Sequence, residues 1–79
     1  MNTENDLIAI RKAALDKAVK ESGGQTALAN RLSEIMGRTV KAQNVQHWQK
    51  HKLPAEWVIR VEQASGVSRH ELRPDIYPA

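Results

Sequence analysis

The feature that most constrains this chain is its punctuation. Gly23-Gly24, Gly37, Pro54, Gly66 and Pro74 divide it into short segments, and in none of them do apolar residues alternate with period two. Where they recur, they do so three and four residues apart, the spacing of one face of a helix. The expectation is an all-α fold, a small bundle of four to five helices.

With 79 residues there is room for one core and no second lobe. We therefore read residues 1–79 as a single domain, with helices at about 4–22, 25–36, 41–50 and 54–65 and a short turn of helix at 69–73. In the first, Leu7, Ile8, Leu15, Ala18 and Val19 form the apolar stripe, and Thr3 with Asp6 resembles a capping pair. In the second, Leu28, Ala29, Leu32, Ile35 and Met36 share a face opposite Arg31 and Glu34. Val45 and Trp48 are the inward pair of the third. Pro54 suits a first helical position, and the fourth helix offers Trp57, Val58, Val61 and Ala64 to the core. Ser68 and Glu71 read as a capping box for the last turn.

Composition narrows the function. There is no cysteine, hence no disulfide frame and no thiolate metal site. Apolar runs are too short to span a bilayer, and the first residues carry acids where a secretory signal needs a basic flank. A cytoplasmic protein with no membrane association is expected. Paired catalytic carboxylates, a nucleophile elbow and a glycine-rich phosphate loop are all missing, so an enzyme is not expected. His47 and His51 stand four apart, a metal-ligand spacing, but have no acid or cysteine beside them in sequence. His70-Glu71 opens like a metalloprotease motif, yet Pro74 stands where its second histidine belongs. Neither a metal nor any other cofactor is expected.

The charge is unevenly distributed. The net value is only +3, but between Glu34 and Glu56 there is no acid, while Arg38, Lys41, Lys50 and Lys52 fall there with His47 and His51. The third helix is the centre of this window. Apart from Ala42, Val45 and Trp48 it consists of Lys41, Gln43, Asn44, Gln46, His47, Gln49 and Lys50. An ordinary solvent-facing helix mixes Glu with Lys; this one has amides and no carboxylate. Amide side chains can read adenine edges in the major groove, Lys and His can meet guanine or phosphate, and a carboxylate would be repelled by the phosphate backbone. A polyanion partner, double-stranded DNA, is expected. The two tryptophans could instead stack on single-stranded bases, but their positions on apolar faces favour the core.

Four blocks, Gly24-Gln25-Thr26-Ala27-Leu28-Ala29, Val45 with Trp48, Leu53-Pro54-Ala55-Glu56, and Ser68-Arg69-His70-Glu71-Leu72-Arg73-Pro74-Asp75, occur in an order that resembles the Cro-like, YdaS-type helix-turn-helix regulators of prophages and plasmids. The resemblance covers roughly residues 15 to 78. It implies a lambda-repressor-like bundle containing a helix-turn-helix, with a departure: Ala29 and Val45 are about six residues further apart than the usual motif places them, so SEIMGRT reads as an extension of the second helix plus a longer turn. Thr39 and Lys41 are both available to cap the third helix.

The resemblance also implies roles. Gln25 and Thr26 would meet a phosphate at the start of the second helix. Lys41, Gln43, Asn44, Gln46 and His47 would face base edges or flanking phosphates, and Arg38, Lys50 and Lys52 would clamp the DNA backbone. The function implied is a sequence-specific repressor, autoregulatory in a prophage, plasmid or toxin–antitoxin module. It would bind a palindromic operator as a homodimer, with a toxin or another regulator as an additional protein partner. The alternative is a small helical adaptor or antitoxin that works through protein–protein binding.

Overall fold

The computed structural model describes residues 3–78, the side chains of residues 3–5 excepted. Its elements are α1 (Thr3–Ser22), α2 (Gln25–Met36), α3 (Ala42–Lys50), a 3-10 turn η1 (Ala55–Trp57), α4 (Val58–Ser65) and α5 (Arg69–Leu72). Among the described residues there is no strand.

One apolar core joins every helix. Ala14, Leu15, Ala18 and Val19 of α1 meet Leu28, Ala29 and Leu32 of α2, Val45 and Trp48 of α3, and Val58, Val61 and Ala64 of α4, with Val40, Leu53, Val67 and Leu72 closing the gaps. The stripes are narrower than the sequence implies. Ile8 is 45% exposed and Ile35 is 38% exposed, while Leu7 and Met36 are half-buried. Ile8 and Ile35 lie toward helix ends, where spacing continues the apolar face beyond the buried core. Trp57 is half-buried, its ring 5.0 Å from that of Trp48, so both tryptophans belong to the core.

The breaks between helices have local causes. After α1, Gly23 and Gly24 take φ of 102° and 123°, conformations that L side chains rarely adopt. Gly37 ends α2 at φ 68°, and the amides of Gly37 and Arg38 both donate to the Ser33 carbonyl. The turn that follows, residues 37–41, is pinned by the same serine. Its hydroxyl accepts from the Val40 amide at 2.8 Å and donates to the Ala29 carbonyl at 2.8 Å. The sequence-based extension of α2 to Met36 followed by a longer turn is what the backbone does, and a polar knot around Ser33 holds it.

Several boundaries differ from expectation. Lys41 precedes α3 as its N-cap instead of opening the helix. Pro54 is extended, with ψ 146°, and the chain enters a 3-10 turn through Trp57 N–H donating to the Pro54 carbonyl before α4 starts at Val58. Thr3 lies inside α1, and its side chain is outside the described ones. At α5, Ser68 Oγ accepts from the His70 amide and not from that of Glu71, as a capping box would require, and the carboxylate at the helix start is Glu62 of α4, not Glu71. Glu62 accepts from the Arg69 amide at 2.6 Å and from its guanidinium at 2.9 Å. That pairing holds the Glu62 carboxyl below its usual range, because the charged form receives the hydrogen bonds of Arg69. The short helix ends at Leu72, one residue early, as Arg73 turns inward.

The turn at residues 72–75 explains the Leu-Arg-Pro-Asp string. Leu72 is core, and Arg73 is only 6% exposed. The guanidinium of Arg73 donates to the Leu53 carbonyl at 2.7 Å and forks onto both oxygens of Asp75 at 2.9 and 2.7 Å. Asp75 also lies 3.9 Å from Arg11 of α1. The Arg73 hydrogen bonds, with help from the nearby positive charges, hold the Asp75 carboxyl down at about 2. One buried arginine thus ties the end of the chain to the connection that follows α3.

Candidate nucleic-acid interface

The surface of α3 follows from its helical geometry. Val45 and Trp48 point into the core, and Gln43, Asn44, Gln46, His47 and Lys50 are exposed. At ~100° per residue, Gln43, His47 and Lys50 form a central ridge with Gln46 on one flank and Asn44 on the other. Lys41 before the helix and Lys52 after it are exposed as well. These residues therefore share one face, free of carboxylates within α3 itself.

Three of the expected site residues have structural duties. Asn44 Oδ1 accepts the Lys41 amide at 3.1 Å, and the Lys41 carbonyl accepts the Asn44 amide at 2.9 Å. Lysine has no side-chain acceptor, so the cap is carried by Asn44, and Thr39 has no part in it. With its oxygen committed to the helix start, Asn44 is poorly placed for a bidentate base contact. Gln25, at the first position of α2, is half-buried and donates to Gln49 Oε1 at 2.7 Å, and Gln49 Nε2 donates to Asp16 at 3.0 Å. Gln25 is thus a strut from α2 to the last turn of α3. Gln49, read from sequence as part of the polar face, is half-buried in this relay. Arg38 is exposed, and its guanidinium lies over the Trp57 ring at 5.6 Å.

Thr26 remains exposed beside Gln25 at the start of α2. Because Gln25 bonds to Gln49, the α2 N-terminus abuts the last turn of α3, and free amides with their partial positive charge lie beside the Lys50 end of the helix. The rings of His47 and His51 are 4.4 Å apart. No group of three His, Cys, Asp or Glu among the described residues could hold a metal ion.

The relay through Gln49 and the knot around Arg73 have no signal in the local sequence. Their partners lie 24 and 20 residues away, and no local spacing announces them.

Fold and surface together define a small helical bundle that presents a short, amide-rich, carboxylate-free helix on an apolar core. The chain belongs to the family described as bacterial toxin YdaS, whose model matches residues 15–79. Comparison with curated proteins and with solved structures finds no match. No helix among the described residues is long and apolar enough to cross a membrane.

Proposed function

We propose that this protein is a sequence-specific double-stranded DNA-binding regulator that acts by binding and not by catalysis, with α3 as its reading head. The observation that carries the reading is the division of α3 into a buried Val45–Trp48 side and an exposed Gln43, Gln46, His47 and Lys50 side without an acid. Gln43, Gln46 and His47 contact base edges. Thr26, Arg38, Lys41, Lys50 and Lys52 meet phosphates, while Gln25 and Asn44 orient the elements that do so.

An interface of one short helix is small, so two copies on a palindrome, with half-sites about one helical turn apart, suit the reading. A role in a toxin–antitoxin module is supported by the family's description as a toxin, and a prophage or plasmid setting belongs to the same proposal. The second reading, a protein-binding adaptor or antitoxin, predicts no salt-sensitive affinity for duplex DNA.

The test is a fluorescence-anisotropy titration of the duplex just upstream of the protein's own coding sequence at increasing salt. Each neutralised phosphate contributes roughly −0.9 to the slope of log K against log salt, and about four to six contacts per subunit are expected. A flat response would reject the reading.

A further inference from the structure

A second surface lies beside the α3 face. Between the first half of α1 and the connection that follows α3 there is a cavity of about 170 Å³. Its floor is apolar: Leu15, Trp48 and Leu53 of the core, with Ile8 leaning over it from α1. Ile8 is 45% exposed and is among the largest apolar side chains left in solvent. The rim is basic, formed by Arg11 and Lys12 on one side and Lys50 and Lys52 on the other, with the polar Gln49 and His51 beside them, and no acid lines it. Arg11 is partly answered by Asp75 at 3.9 Å. Lys12, Lys50 and Lys52 form no ion pair with any described residue.

A phosphate backbone would use the rim and leave the floor empty, because an apolar floor gives an anion nothing. A purely apolar ligand would use the floor and leave three cations unanswered. The chemistry that uses both is an apolar side chain flanked by carboxylates. Ile8 and Leu15 are two helical turns apart, about 10 Å, which matches roughly two turns of a docked helix.

We propose that this groove receives an acidic amphipathic segment of a partner protein, and that its occupation and DNA binding exclude one another because both require Lys50 and Lys52. The second part rests on the function proposed above; the first does not. Such a partner would act as an antirepressor, releasing the operator by covering the cations that flank the reading helix.

The test uses the full chain and a short synthetic peptide with Leu at helical spacing among Glu residues, followed by tryptophan emission, since Trp48 lines the groove. Two control peptides carry Lys for Glu, or Ser for Leu. The expected result is binding of the Leu–Glu peptide alone, and its release of labelled operator from the protein. Ile8→Ala with Lys12→Ala, both at exposed positions outside the proposed DNA face, should weaken peptide binding about tenfold or more while leaving operator affinity within about twofold. Thermal melts confirm that this variant is folded.

Equal binding by the Ser-for-Leu peptide would overturn the proposal, since charge alone would then suffice. So would simultaneous binding of peptide and operator, or a loss of operator affinity in the double variant equal to that of Lys50→Ala, which would assign the groove to DNA. If the wild-type protein binds the peptide but no duplex, the groove stands, while the exclusion and the DNA-binding reading both fall.

Discussion

Removing the Arg73 side chain tests the packing account where it is most specific. Arg73→Ala leaves the Leu53 carbonyl without its donor and Asp75 without its fork. An orphaned buried acceptor costs about 1–3 kcal/mol, and breaking a fully buried ion pair from one side costs about 3–5 kcal/mol. Asp75 keeps 32% of its side chain in solvent, so its share is smaller, and we expect a total of about 2–4 kcal/mol. A folded chain of 79 residues has roughly 0.05–0.15 kcal/mol of stability per residue, so this is a large fraction of the whole. The melting midpoint should fall by about 10 °C or more.

Asp75→Asn keeps the bond to Leu53 and should cost only about 1–2 kcal/mol. Its cost has a definite pH dependence. The folded carboxyl titrates at about 2, below the ordinary 3.8, so the wild-type advantage is fully present above the ordinary value and disappears as pH falls through the folded one. Urea melts of the three proteins at neutral pH and through the acid range are the assay. An Arg73→Ala midpoint equal to wild type, or an Asp75→Asn deficit unchanged at the acid end, would mean that Arg73 and Asp75 do not hold this end of the fold.

Other outcomes follow from the same packing. Trp48→Ala should cost about 3–5 kcal/mol by thermal melt, because it empties a core site against Trp57, while the exposed Gln46→Ala should stay within about 0.5 kcal/mol. Gly37→Ala should destabilise by about 1 kcal/mol in urea melts, since φ 68° is unfavourable for a residue with a Cβ even though nothing lies near enough to clash. Footprinting on the operator should show two protected half-sites related by two-fold symmetry; a lone asymmetric site would exclude the dimeric arrangement.

What could be read from the sequence was what is local. Helix identities, the stops at Gly24, Gly37 and Gly66, the inward pair Val45 and Trp48 and the polar ridge of α3 all follow from spacing and backbone preference. What could not be read depends on distant partners. Ile8 and Ile35 have helical spacing indistinguishable from that of buried neighbours, yet both fall outside the packed core and stay exposed. Gln25, Gln49 and Asn44 look alike as amides, yet two form a relay and one caps a helix. Nothing local in the sequence marks Arg73 as buried, and its burial is intelligible only once Leu53 and Asp75 are seen around it.

On the proposed function, the outer face of α3 reads base sequence. The most direct measurement is the ratio of affinities for a matched operator and for one with a substituted base pair, in the wild-type protein and in Gln46→Ala. If Gln46 makes a bidentate base contact, that ratio should fall by about 1–3 kcal/mol at one base pair, with non-specific affinity and melting midpoint unchanged. Lys50→Ala should lower affinity for both sequences alike. A Gln46→Ala protein that folds normally and discriminates as well as wild type, with His47→Ala doing the same, would mean that α3 is not the reading head.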